Sequence, residues 1–166
     1  MEHFIKIAEM KVIQEPGILK TVVGSCIALC IWDRVRKMGG MVHIMMPKSK
    51  NNSPLSAGKY ANTAVSALYN EMISRNCQKR HLVASMAGGA SVFGNRLGNN
   101  GRKPIGVENY EIVKEQLQQH RIPIEKEDVG GTSGRRVVFN ITDGDIFVSM
   151  LNNKSYVTVK KTIREQ

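Results

Sequence analysis

The chain has 166 residues, 42% hydrophobic and 23% charged, a composition that suits a folded domain and excludes an intrinsically disordered chain. Its longest uncharged apolar run, Thr21 to Trp32, is too short to span a bilayer, and the charged start Met1-Glu2-His3-Phe4-Ile5-Lys6 does not fit a signal peptide, so the sequence predicts a cytoplasmic protein with no membrane insertion. The net charge of +10 is concentrated: Arg34 to Val107 hold twelve Lys or Arg against one acid, Glu71, a balance that suits an acidic partner.

In chain order, Phe4 to Ile13 reads as a strand and Pro16-Gly17 as a turn. Leu19–Val23 and Ile27–Trp32 are β-rich and apolar, separated by Gly24-Ser25. Gly39-Gly40 opens a further strand, Met41–Met46, which Pro47 stops. Lys48 to Gly58 is a polar loop, and Ala61, Ala64, Val65, Leu68, Met72 and Ile73 recur at helical spacing up to Asn76. A short strand, His81–Ala87, runs into Gly88-Gly89, followed by a glycine-rich loop from Gly94 to Gly106. Val107–Gln119 is a second amphipathic helix, and Ile122–Val129, Arg135–Ile141 and Ile146–Met150 are strands, the last two joined at Asp143-Gly144. Residues 1–150 form a single domain, and the basic tail 151–166 is a further strand or a frayed end. About eight strands and two helices make a mixed α/β domain, and short turns between adjacent strands rule out a purely parallel sheet.

The chemistry-bearing candidates are cysteines and histidines. Cys26, Cys30 and Cys77 are expected as free thiols in such a chain. Cys26 follows Gly24-Ser25 at a strand junction, where a sulfur can be exposed and backbone N–H groups can hold an oxyanion. His43 beside it would take the thiol proton and later protonate a leaving amine, and Thr21 is the nearest upstream group that could fix the imidazole tautomer. An adjacent imidazolium is expected to lower the thiol pKa. Against this, a cysteine on an apolar strand is ordinarily a small core residue. Regular pairing with Trp32 opposite Met41 would also put Cys30, not Cys26, across from His43. A zinc site from Cys26, Cys30, Cys77 and His43 lacks the usual ligand spacing, so no metal is expected. Nor does the loop from Gly94 carry a P-loop pattern, so no nucleotide cofactor is expected. Tyr60, Tyr69 and Phe93 do not interleave with the basic residues, which argues against nucleic acid as the partner.

The run Thr21-Val-Val-Gly-Ser-Cys26, with Trp32-Asp33 and Gly39-Gly-Met-Val-His43-Ile-Met-Met-Pro47, resembles the CheD family, the chemoreceptor glutamine deamidases of bacterial chemotaxis. The resemblance continues through Lys59–Ala64, Gly88–Phe93, Ile105-Gly106 and Glu127–Arg136, covering roughly residues 3 to 150. It implies a cysteine-hydrolase type of fold, with mixed β-sheets packed together and helices on the outside, similar to the deamidase domains of bacterial toxins. It places the family nucleophile on Cys26, the histidine on His43 and the threonine on Thr21, with Gly24 and Ser25 supplying backbone support for the oxyanion. The Thr21–Cys26 run is one residue shorter than is usual in the family. The implied activity is a cofactor-independent protein-glutamine deamidation that releases ammonia. The implied partners are helical cytoplasmic domains of chemoreceptors, with Arg34, Arg36 and Lys37 as partner-binding residues. A docking module for a CheC-type phosphatase is the alternative, and it would survive loss of Cys26.

Overall fold

Ten strands in the computed structural model, which describes residues 1–51, 54–92 and 101–162, form two five-stranded sheets. The first contains β1 (Glu2–Phe4), β3 (Ile18–Val23), β8 (Arg135–Asn140), β9 (Ile146–Met150) and β10 (Val157–Thr158), in that spatial order. The second is ordered β2 (Met10–Gln14), β5 (Met38–Ile44), β4 (Ile27–Asp33), β6 (Leu82–Gly88) and β7 (Ile124–Val129). β1 runs parallel to β3 and β6 parallel to β7, while the other pairs are antiparallel, so both sheets are mixed. Helices α1 (Ala61–Ser74) and α2 (Ile105–Gln119) complete the mixed α/β architecture.

Alternation along β4 explains the layering. Ile27, Leu29 and Ile31 share one core with Val42, Ile44 and the buried faces of α1 and α2. Ala28 and Cys30 share the other with Met41 and with Leu19, Val137 and Phe139 of the first sheet. The second sheet is therefore covered on both faces, which is why β4 and β5 read as continuous apolar runs.

Several boundaries differ from expectation for identifiable reasons. Phe4 to Ile13 is two strands in different sheets, with Ala8 at φ +68° between them. Gly39 and Gly40 lie inside β5: a Cβ at Gly39 would sit 2.9 Å from both Phe139 Cε1 and Ile141 Cδ1, so close approach of the first sheet requires glycine there. The hairpin loop is instead residues 34–37, tied by Asp33 Oδ1, which accepts the N–H groups of Val35 and Arg36 at 3.0 Å each. This turn sets Trp32 opposite Gly39 and Ala28 opposite His43, shifted by two residues from the register that would favour Cys30. Helix α2 starts two residues earlier than expected. The tail contributes the edge strand β10. Phe93, the loop expected from Gly94 as far as residue 100, residues 52 and 53 of the polar loop and the last four residues of the tail lie outside the described residues.

Candidate active site

β3 ends in the first sheet at Val23, and β4 begins in the second at Ile27, so Gly24-Ser25-Cys26 carries the chain from one sheet to the other. Stacked sheets lie about 10 Å apart, a gap that three extended residues just span. The crossing is pinned from β6. Gly89 N–H donates to the Cys26 carbonyl and Ala90 N–H to that of Gly24, each at 2.9 Å. Gly88 has φ +118°, and a Cβ there would collide with the Cys26 carbonyl oxygen, so only glycine lets the two segments approach.

His43 stands on β5, facing the first sheet. Its backbone N–H and C=O bond outward to Glu9 and Ala8, so Ala28–His43 is a non-hydrogen-bonded pair of the β4–β5 ladder, the kind that brings side chains closest. The partner's small side chain leaves room over the imidazole. Thr21, from the middle of β3, meets the ring across the inter-sheet space, with its Oγ1 2.8 Å from His43 Nδ1. Thr21 and His43 are 1% and 3% exposed. The hydroxyl donates to the Ile5 carbonyl at 2.7 Å. Because that proton is committed, Nδ1 must be the donor to Thr21, which places the second nitrogen, Nε2, in the unprotonated form. Nε2 is buried and has no hydrogen-bond partner among the described residues. The threonine thus meets the histidine despite the shortened run.

Cys30 lies one diagonal step from His43, about 7–8 Å in a regular ladder, and Cys26, just before β4, packs against the same inter-sheet core. Accessibility separates them. Cys30 is 1% exposed within the inter-sheet core, and burial pushes its thiol far above the ordinary range, so it is held as an inert thiol. Cys26 lies outside the ladder and keeps partial exposure. Cys77 is buried against Met38, its Sγ 3.6 Å from Met38 Sδ, and burial raises its pKa to about 11.

The electrostatics correct one expectation. Burial raises the Cys26 pKa, only partly opposed by its own backbone N–H. Burial lowers that of His43, partly opposed by the Ile5 carbonyl. Both shifts favour a resting thiol and neutral imidazole over the thiolate–imidazolium pair, because the space between the sheets is poorly solvated. No hydrogen bond joins the two residues in this resting arrangement.

Sequence reasoning missed Asn109, which is fully buried on α2 and donates from Nδ2 to the carbonyls of Ser25 and Met45, each at 3.1 Å. The available signal was a polar residue on an apolar helical stripe, among the buried positions Ile112, Val113 and Leu117. It also missed the Gly88–Ala90 clamp. Arg34, Arg36 and Lys37 sit at the β4–β5 loop, at the opposite end of β4 from Cys26, roughly 25 Å away at the usual strand rise. A groove nearer the site, beside the start of α2, has bases Lys48, Arg102 and Lys103 and acids Glu108, Glu111 and Glu115 in its lining.

The site thus offers a partly exposed thiol and, on the facing strand, an imidazole of fixed tautomer, the two components of cysteine-based acyl transfer. A family model, CheD chemotactic sensory transduction, matches residues 45–150. The chain is 38% identical over 164 residues to a Thermotoga maritima protein named chemoreceptor glutamine deamidase CheD, covering 97% of this chain and 99% of that one. It is 41% identical over 143 residues to a Geobacillus kaustophilus protein named "Probable chemoreceptor glutamine deamidase CheD", covering 84% and 87%. A Methanococcus maripaludis protein of the same name is 36% identical over 144 residues, covering 87% and 92%. The chain belongs to the CheD family. Among solved structures, a Bacillus licheniformis hypothetical protein, YfiH, overlaps 75% of this chain and 50% of its own at a TM-score of 0.48 and 14% identity, too distant to bear on the site. No helix among the described residues is long and apolar enough to cross a membrane.

Proposed function

We propose that this chain is a cytoplasmic protein-glutamine deamidase of chemotaxis, converting receptor glutamines to glutamates with Cys26 as nucleophile and His43 as acid and base. The observation that carries the roles is the Thr21–His43 contact, which leaves an unpartnered Nε2 on the strand facing the Gly24–Cys26 crossing. The substrate class follows from membership of a family whose relatives are named for that activity.

His43 Nε2 takes the Cys26 proton as the sulfur attacks the side-chain carboxamide carbon. Backbone N–H groups of the Gly24-Ser25-Cys26 crossing support the tetrahedral oxyanion. The C–N bond then breaks, and His43 returns its proton to the leaving nitrogen, releasing ammonia and leaving a thioester on Cys26. Water, deprotonated by His43, attacks the thioester, and glutamate and the thiol are restored. Thr21 keeps the imidazole proton on Nδ1 throughout, so the reacting nitrogen is always Nε2. Because the neutral pair is the resting state, His43 Nε2 withdraws the thiol proton in the same step in which Cys26 attacks an electrophile.

Arg34, Arg36 and Lys37 serve as a remote anchor for an acidic helical receptor, since they lie too far from Cys26 to touch the reacting glutamine. Incubation with cytoplasmic receptor fragments tests the reading. The expected result is a mass gain of about 1 Da and one ammonia per converted glutamine, as acyl transfer to water requires. Fragments that gain no mass, together with a CheC-type phosphatase bound equally by wild type and Cys26→Ala, would favour the docking role instead.

A further inference from the structure

We infer that Asn109 is the positioning residue that holds the nucleophile and the base in register. The β4–β5 ladder closes at Ile27, immediately after Cys26, opposite Ile44, immediately after His43. Beyond that point the strands diverge: Met45 and Met46 turn their N–H groups to the Lys59 carbonyl. One side-chain amide replaces the missing rung. The two hydrogens of Asn109 Nδ2 reach Ser25 O, next to Cys26, and Met45 O, two residues past His43, both at 3.1 Å. A single sp² nitrogen thereby fixes the separation of the two carbonyls.

The orientation of this amide is dictated by its surroundings. A flip would set Oδ1 against two carbonyl oxygens, so Nδ2 must face them, and Oδ1 is left buried without a partner among the described residues. An orphaned buried acceptor destabilises a core, and an apolar residue of similar volume would remove it. The chain carries the amide nonetheless, on the stripe where α2 otherwise presents Ile112, Val113 and Leu117. The backbone beneath it is equally close: a Cβ at Gly106 would lie 2.6 Å from Gly89 O and 2.7 Å from Ala90 O. The first turn of α2 thus bears on the segment that clamps Cys26, while Asn109 reaches past it to the Ser25 carbonyl and the end of β5. Asn109 touches neither reacting group, and it acts through the backbone on either side of them.

This inference rests on the Cys26–His43 reading, and the experiment separates the two. The rate of Cys26 alkylation by iodoacetamide near neutral pH is measured in four proteins: wild type, His43→Ala, Asn109→Leu and the double variant. If the wild-type and His43→Ala rates are equal, the thiol–imidazole pair itself is refuted, whatever Asn109 does. If they differ, Asn109→Leu is expected to shrink that ratio at least threefold. It should also lower kcat for deamidation roughly 10-fold or more with little change in KM, because misplacement acts on the chemical step. Asn109→Ala, which removes the same donors without filling the space, should behave alike. A folded Asn109→Leu or Asn109→Ala protein that keeps both the wild-type alkylation ratio and kcat overturns the inference. So does failure of both variants to fold, since the amide would then be a folding requirement and not a positioning device.

Discussion

Replacing Thr21 by valine removes one hydroxyl and keeps the shape. In the structure that hydroxyl joins two buried groups, the Ile5 carbonyl at 2.7 Å and His43 Nδ1 at 2.8 Å. Each buried polar group left unpaired costs about 1–3 kcal/mol. The imidazole can escape part of its share by moving its proton to Nε2, whereas the carbonyl cannot. A net loss of about 2 kcal/mol is therefore expected, which lowers Tm by roughly 4–8 °C for a chain of this length. The proton shift that limits the structural damage is the one that disables the base, because Nε2 then has no lone pair for the thiol. kcat for ammonia release should fall roughly 10- to 100-fold, or about 1.4–2.7 kcal/mol of barrier. Long-range ¹⁵N–¹H correlation spectra of His43 report the tautomer directly. Wild type should show the proton on Nδ1 and Thr21→Val should show it on Nε2, while Thr21→Ser, which keeps the hydroxyl, should restore both the wild-type tautomer and most of the rate. A folded Thr21→Val protein with unchanged kcat and the proton still on Nδ1 would refute the role given to Thr21.

The remaining expectations follow from the same geometry. Gly88→Ala forces a Cβ onto the Cys26 carbonyl at φ +118°; strain of about 1–3 kcal/mol should lower Tm and depress deamidation together, and an unchanged melt and rate would show that β6 does not hold the nucleophile. The pH profile of kcat/KM should have no midpoint between 6.5 and 9.0, the ordinary values of the two groups. His43, lowered by burial, must be neutral and has its midpoint below that window, while Cys26, raised by burial, has its midpoint above it; an acid-limb midpoint inside the window would contradict the first shift, and an alkaline-limb midpoint the second. Charge reversal at Arg34, Arg36 and Lys37 together should weaken receptor association in low salt and leave the rate on a short glutamine peptide unchanged, since charges roughly 25 Å from Cys26 are screened beyond about 8 Å at physiological salt. Loss of activity on the short peptide would place them in the site.

The sequence made some parts of this molecule legible and concealed others, for physical reasons. Helix α1 is marked by its spacing of Ala61, Ala64, Val65, Leu68 and Met72, all buried in one core, and Asp143-Gly144 marks the β8–β9 turn, with Gly144 at φ +75°. The register of β4 on β5 was hidden, because Gly39-Gly40 looks like a turn, and what requires glycine at position 39 is Phe139, one hundred residues away in the other sheet. That hidden register moved Cys30 away from the position directly across from His43, and accessibility then separated it from Cys26. Thr21, Cys26 and His43 were singled out through the family resemblance, since spacing alone fits a small core cysteine as well. Asn109 was invisible as a site residue because its partners, Ser25 and Met45, are carbonyls, and a backbone oxygen leaves no mark in the side-chain code. The direction of the thiol pKa was hidden as well, because it depends on burial between sheets that no local pattern reveals.

The central claim is that Cys26, not its buried neighbour two residues beyond Ala28, attacks the glutamine. The most direct measurement is acid-quenched mass spectrometry of the enzyme during turnover on a receptor fragment, with fragmentation of the segment spanning both cysteines to locate the acyl group. The expected result is a thioester on Cys26, with Cys26→Ala inactive and Cys30→Ala still adding about 1 Da per converted glutamine. An acyl group on Cys30, or a Cys26→Ala protein that still deamidates, would contradict it.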